Sequence, residues 1–210
     1  MCPLTLIETL RMEGGAIQRL PYHEARRAAA IRHFWPAARP LSLAETLRRH
    51  GLMETNSPER YPGVWKVRVA YSAESADVEA EPYSPKHIAR LRLVADDTID
   101  YSFKYSDRSA LTRCRNRRGD ANEVIIVKNG LLTDTSYSNI ALFNGSKWLT
   151  PHTPLLAGTM RAWLIDNHRL RPADIRPAEL LSTYSRLCLI NAMLPLGELS
   201  IDITPDTIAF

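Results

Sequence analysis

The sequence predicts an α+β protein in which strands joined mainly by hairpins alternate with helices in both halves of the chain. Three observations carry this reading. Gly14-Gly15, Asn129-Gly130 and Asn144-Gly145 sit between apolar runs, where two-residue hairpin turns are expected. Between them recur Ala-, Leu- and Arg-rich stretches without Gly or Pro, which read as helices. Residues 72–90 are poor in large apolar side chains and contain Pro82 and Pro85, so they read as a linker. This divides the chain into a small N-terminal domain over 1–84 and a larger C-terminal one over 85–210.

Residues 4–11 alternate loosely and turn at Gly14-Gly15 into Ala16 to Leu20, a hairpin. After Pro21 the period changes: His23 to Phe34 reads as a helix that ends before Pro36. Leu41 to His50 reads as a second helix, capped by Ser42 and stopped by Gly51. Trp65 to Tyr71 alternates apolar and basic positions, as a half-buried strand does. Beyond the linker, Leu91 to Val94 and Asp100 to Tyr105 read as strands, Asp107 to Arg118 as a helix closed by Gly119, and Glu123 to Lys128 as a buried strand. Leu131 to Phe143 lies between the two Asn-Gly turns. Helices over Gly158 to His168 and Pro177 to Thr183 precede an apolar strand, Leu187 to Ile190.

A chain of 210 residues with 45% hydrophobic and 24% charged content has enough apolar surface to build a core without metals or disulfides. The three cysteines, Cys2, Cys114 and Cys188, are isolated, so neither a disulfide framework nor a zinc ribbon is encoded. The six histidines show no metal-ligand spacing. The N-terminus has an acid at Glu8 and no basic-then-apolar run, and no window approaches the ~18 apolar residues of a membrane span. A reducing, cytoplasmic setting is expected. No glycine-rich dinucleotide fingerprint, phosphate-binding loop or nucleophile elbow is present.

Two local features carry chemistry. Alternation places Lys104 and Ser102 on one side of Asp100 to Tyr105, with Tyr101, Phe103 and Tyr105 on the other. A strand lysine is ordinarily a solvated cation, but burial or the nearby Arg108 makes it a candidate Schiff-base nucleophile. Gly158-Thr159 opens an apolar-periodic helix, whose free N–H groups suit a phosphate as well as they suit ordinary helix initiation. The Arg-rich stretches at Arg26, Arg27 and Arg32 and from Arg108 to Arg118 suggest nucleic acid. A net charge of only +4 favours solvated helix faces instead.

Taken in order, several fragments resemble the class IV aminotransferases. They are Lys104-x-x-x-Arg108, Gly130-Leu-Leu-Thr-Asp134-Thr-Ser-Tyr-Ser-Asn139, Thr150-Pro151, Leu156-Ala-Gly158-Thr159-Met-Arg161 and Ile190-Asn191-Ala192-Met193. Leu6-Ile7-Glu8-Thr9-Leu10-Arg11 is similar to the family's first strand, and His23-Glu-Ala-Arg26 to its His-x-x-Arg helix. The resemblance covers nearly the whole chain. It implies the two-domain α+β fold of the D-amino-acid aminotransferases, called fold type IV, with pyridoxal 5'-phosphate (PLP) in the cleft between domains, a small amino-bearing substrate, and a homodimer.

By position, the resemblance makes Lys104 the Schiff-base residue and proton carrier, and Asp134 the partner of the cofactor's ring nitrogen. It gives the phosphate to Arg26 and to the Gly158, Thr159 and Met160 backbone, with Asn191 and Ala192 nearby. Thr135 and Asn139 would buttress the turn that presents Asp134. Two departures stand out. Asp134 occupies a position where the family usually carries glutamate, and the chain starts almost at the first conserved strand. The Lys-x-x-x-Arg spacing and the Asn-Ala-Met stretch resemble the 4-amino-4-deoxychorismate lyase branch. Branched-chain or D-amino-acid transamination is the alternative, and a non-catalytic or nucleic-acid-binding module the alternative of another class.

Overall fold

A computed structural model gives the fold of residues 4–53 and 59–210, so Cys2 lies outside the described residues. The chain divides into two compact units. One comprises residues 1–84 together with Phe103–Asp107, and the other Pro85–Ser102 together with Arg108–Phe210. Division of the chain at Ser84 alone therefore misplaces a short segment: Lys104 belongs to the first unit.

The first unit is a four-stranded antiparallel sheet with two helices. Strands β1 (Leu6–Glu13), β2 (Ala16–Ile17), β3 (Val64–Tyr71) and β4 (Ala76–Pro82) lie in the order β2-β1-β3-β4. On one face of β1, Leu6, Leu10 and Met12 are fully buried, and Glu8 lies between them on the same face. Leu10 and Met12 pack with Leu43, Leu47, Val67 and Val69. Leu6 packs with Ala30 and Tyr71 against a fringe that includes Phe34, Phe103 and Tyr105.

Helix α1 (Leu20–Phe34) starts three residues earlier than the sequence suggests, because Pro21 falls in its first turn, where a missing N–H costs nothing. Helix α2 (Leu43–Arg49) is capped as expected: the Ser42 hydroxyl accepts the Glu45 N–H at 3.0 Å.

The first part of the expected linker contains a strand, β4, and 83–90 has no regular structure. β4 pairs with β3 along its whole length, Trp65 opposite Pro82 and Tyr71 opposite Ala76. It is an exposed edge strand whose Glu81 and Glu79 meet Lys66 and Arg68 of β3. The backbone ladder pairs it, with only Ala76 and Val78 packed on the core and cross-strand charges on the outside, so a hydrophobicity pattern misses it.

The strand expected at Asp100 to Tyr105 does not form. The chain leaves the second unit after Ser102, and alternation cannot be continuous across that change. Residues 104–106 instead make a short pairing with the start of β1, in which Ile7 N–H donates to Lys104 C=O at 2.9 Å and Ser106 N–H to Thr5 C=O at 2.9 Å.

In the second unit, β5 (Leu91–Ala95), α3 (Ser109–Asn116) and the buried β6 (Glu123–Lys128) are followed by β7 (Leu131–Leu132), which turns back at Asn129-Gly130. Both turn residues have positive φ, 52° and 75°, as a primed hairpin turn requires. Next come β8 (Asn139–Phe143), β9 (Trp148–Pro151), α4 (Thr159–Asp166) and β10 (Arg171–Ala173). A 3-10 turn (Pro177–Glu179) leads into α5 (Leu180–Thr183), β11 (Arg186–Ile190), β12 (Ser200–Asp202) and β13 (Ile208–Ala209). Two sheets result, ordered β10-β9-β8-β11-β12 and β13-β5-β6-β7. α4 packs on the first through Met160 and Leu164, against Ala141, Cys188 and Ile190. The short strands β10, β12 and β13 carry too few residues to show a period.

Among the described residues, no helix is long and apolar enough to cross a membrane. Several of the arginines that suggested nucleic acid are engaged within the protein. Arg26 pairs with Glu8, Arg27 donates to Leu41 C=O, Arg115 pairs with Glu123, and Arg117 donates to Ala95 C=O.

Candidate active site

The residues singled out in the sequence fall into two groups, one in each unit. In the first unit, β1 and α1 bring together Glu8, His23 and Arg26. Glu8 is fully buried, and its carboxylate accepts Arg26 Nε at 2.9 Å, Arg26 Nη2 at 2.5 Å and His23 Nδ1 at 2.6 Å. The three-residue spacing of His23 and Arg26 puts both on one face of α1, opposite the carboxylate. Burial by itself raises the Glu8 pKa, but the charge of Arg26 and the hydrogen bonds from His23 and Arg26 outweigh it and bring it to about 2. Burial holds His23 below the usual histidine range, against the pull of Glu8. At neutral pH the imidazole is uncharged and its Nδ1–H donates a hydrogen bond to the anionic carboxylate.

Arg26 thus commits two of its five N–H donors to Glu8, and its side chain remains 16% exposed at the edge of the cluster. Lys104 lies close enough for its charge to act on His23, and its main chain is fixed by Ile7. Sequence reasoning gave Glu8 and His23 no place in the site. The signal was present: an acid inside an apolar strand, with a His-x-x-Arg pair on the next helix.

In the second unit, Asp134 is buried at the end of the β7 segment. Asn139 Nδ2 donates to its Oδ1 at 2.8 Å and also to Leu156 C=O at 2.9 Å, while Leu156 N–H donates to Oδ2 at 2.9 Å. Burial lifts the Asp134 pKa to about 6, against the Asn139 and Leu156 donors and the charge of Arg161. Thr135 closes the next turn, since its hydroxyl accepts Ser138 N–H at 2.9 Å and donates to Ser138 C=O at 3.1 Å. Arg108 donates to Ser136 C=O at 2.7 Å, and the turn is further held by Asn191. Asn191 Nδ2 donates to Ser138 Oγ at 2.8 Å, and its Oδ1 accepts the Met193 and Leu194 N–H groups. Its side chain is therefore spent on protein, and Ala192 sits half-buried in the same bend.

α4 begins at Gly158 with no side-chain cap and no acid in its first turn, so the positive end of its dipole is not neutralised locally. Gly158, Thr159 and Met160 are buried. Gly158 has an ordinary φ of −72°, and it is required for space: a Cβ would lie 1.9 Å from Asn139 Oδ1. Gly158→Ala is expected to push Asn139 off Asp134 and Leu156, at a cost of about 1–3 kcal/mol. Its thermal unfolding, compared with that of Ala157→Gly in the same loop, checks this. An unchanged melting temperature would mean that Asn139 finds another rotamer without loss.

Each group by itself has chemistry that a phosphorylated pyridine aldehyde could use: in the first unit a lysine amine and a partly exposed guanidinium, in the second a buried carboxylate and a helix N-terminus without a side-chain cap.

A structure of a Haemophilus somnus 129PT protein, provisionally assigned as a 4-amino-4-deoxychorismate lyase, is 30% identical and superposes with a TM-score of 0.84, over 93% of this chain and all of that one. An uncharacterised protein of Haemophilus influenzae (strain ATCC 51907 / DSM 11121 / KW20 / Rd) is 32% identical over 188 residues, 90% of this chain and 97% of its own. An aminotransferase from Brucella abortus, solved with PLP bound, shares the fold at 17% identity, with a TM-score of 0.70 over 95% of this chain and 80% of that one. The pattern of the class IV aminotransferases matches residues 5–198, and the chain belongs to that family of PLP-dependent enzymes.

Proposed function

We propose that this enzyme is a 4-amino-4-deoxychorismate lyase, releasing 4-aminobenzoate and pyruvate. The observation that carries the choice of reaction is the similarity, over the full length of that chain, to the Haemophilus somnus protein. The Lys104-x-x-x-Arg108 spacing supports it, with Arg108 holding the turn after Asp134. A homodimer in the cytoplasm, acting on a small amino-bearing substrate, belongs to the same reading.

In this reading Lys104 anchors the cofactor, and Arg26 and the Gly158–Met160 backbone take its phosphate. Asp134 pairs with its ring nitrogen, steadied by Asn139, and the turn fixed by Asn191 and Ala192 borders the same site. When bound, PLP supplies a ring that draws electrons from the amine-bearing carbon of the substrate. The Lys104 amine takes the proton from that carbon. The C–O bond to the enolpyruvyl group then breaks, the substrate ring becomes aromatic, and the departing enolpyruvate gains a proton to become pyruvate. Asp134, one methylene shorter than the family's usual glutamate, would be the residue that pairs with the ring nitrogen and favours its protonated form.

The test is to supply the PLP-loaded protein with 4-amino-4-deoxychorismate and follow 4-aminobenzoate by fluorescence and pyruvate by a coupled reduction. Equal amounts of both products are expected. Turnover of branched-chain or D-amino acids with a 2-oxo acid, and none of the chorismate derivative, would make it a transaminase. A folded protein that retains no PLP would leave a non-catalytic role.

A further inference from the structure

Glu8 is an acid in a row of apolar side chains. Leu6, Leu10 and Met12 share its face of β1, all fully buried, and Val69 lies opposite it on β3. Stability gives no reason for an acid here, because apolar residues in place of a buried ion pair are commonly neutral or stabilising. What the carboxylate does is hold one guanidinium in one orientation. Oε1 accepts Arg26 Nε and Oε2 accepts Arg26 Nη2, the two parallel hydrogen bonds that fix a planar guanidinium in direction and in tilt. His23 Nδ1 donates to Oε2 as well, so the carboxylate is itself held by a second residue of α1.

Exposure is divided unequally in this cluster. The side chains of Glu8 and His23 are fully buried, while that of Arg26 is partly exposed. With Nε and Nη2 turned toward Glu8, the opposite edge of the planar guanidinium, which carries Nη1, faces away from the carboxylate. The same strand fixes the main chain of Lys104: Ile7, the residue before Glu8, donates its N–H to Lys104 C=O, and Leu6 pairs with Tyr105. Within the first unit, two adjacent residues of β1 thus set the path of the chain at Lys104 and the orientation of Arg26.

We propose that Glu8 is a positioning residue for the cofactor's phosphate: its carboxylate holds Arg26 by two hydrogen bonds, so that the outer edge of the guanidinium is aimed before the cofactor arrives. This role rests on the reading of Arg26 as a ligand of the phosphate. Glu8 touches neither phosphate nor substrate; it acts through Arg26. An arginine free to turn gives up rotamer freedom when it binds, and the carboxylate removes that cost in advance. Position and charge pull in opposite directions here, since an anion beside Arg26 also weakens its attraction for a dianion. The two effects can therefore be separated.

The full chain is titrated with PLP and with pyridoxal, which has the same ring and aldehyde and lacks the phosphate. The ratio of the two affinities, followed by absorbance, isolates what the phosphate contributes. Glu8→Asp keeps the charge and withdraws both oxygens by one methylene, and Glu8→Gln keeps the reach and removes the charge and one acceptor. Both are expected to lower the PLP-to-pyridoxal ratio about tenfold, the loss of one charge-assisted hydrogen bond, and neither to lower it further when Arg26→Gln is already present. Affinities for both ligands that fall together, with the ratio unchanged, are what a merely structural role gives, and they overturn the proposal. A ratio that rises in Glu8→Gln and holds in Glu8→Asp shows charge without aim and overturns it as well. A ratio indifferent to Arg26→Gln alone overturns the reading of Arg26, and the role of Glu8 falls with it. Wild type supplies a check that needs no Glu8 variant to fold. In the cofactor-free protein the Arg26 Nε–H, assigned with Arg26→Lys, is expected as a sharp, slowly exchanging NMR signal already present before PLP is added. A signal that appears only with PLP shows that the cofactor, not Glu8, orients Arg26, and overturns the proposal.

Discussion

Lys104→Ala is expected to abolish covalent attachment of PLP and to lower turnover by roughly 10⁴-fold, the upper range for loss of a positioned general base. The variant should still fold, because the Lys104 side chain is only half-buried and its structural tie to β1 is a main-chain carbonyl that alanine retains. The measurement is an absorbance spectrum after adding PLP and removing the excess, then borohydride reduction and peptide mapping. Wild type should carry the reduced adduct on Lys104 and the variant none. Attachment and turnover unchanged in the variant would move the anchor to another lysine and dissolve the site as drawn.

The largest effect on stability is expected at Glu8. Removing the charge with Glu8→Gln leaves Arg26 facing a neutral amide in a buried site, and breaking such a pair costs about 3–5 kcal/mol. For a chain of this size that corresponds to a fall in melting temperature of roughly 10 °C. The same group sets an acid limit. Glu8 titrates at 4.5 when unfolded and near 2 when folded, so the unfolded state binds the proton more readily. Its contribution is present in full above pH 4.5 and is lost as pH falls from there toward 2. His23, held below its ordinary 6.5, acts in the same direction at higher pH, losing its contribution as pH falls below 6.5. Asp134 has the opposite sign. Its folded value near 6 lies above 3.8, so its contribution is present below 3.8 and is lost as pH rises through 6. Denaturation midpoints of wild type and Glu8→Gln across pH 2–8 check this, with the gap between them closing only below pH 4.5. A gap that stays constant to pH 2 would show that Glu8 acts by packing rather than by charge.

Much of the candidate site was legible because its residues lie in short local strings. Asp134 and Asn139 are five residues apart, and the structure joins them by a hydrogen bond. Gly158-Thr159-Met160 opens a helix, as the capping logic requires. Glu8 was not legible in the same way. Its partners lie 15 and 18 residues away on another element, and nothing in strand periodicity says that a buried position holds an acid instead of a leucine.

The sequence by itself determined the α+β class, most helices, the hairpin turns and the family, because these depend on periodicity, turn chemistry and motif order along the chain. Only the tertiary structure decided that 76–82 pairs as an edge strand, that Phe103–Asp107 joins the first unit, and that Glu8 and Asp134 are buried ions with opposite pKa shifts. Those outcomes are set by which distant groups share a dry space, and the electrostatics of burial depend on that packing, not on neighbours in sequence.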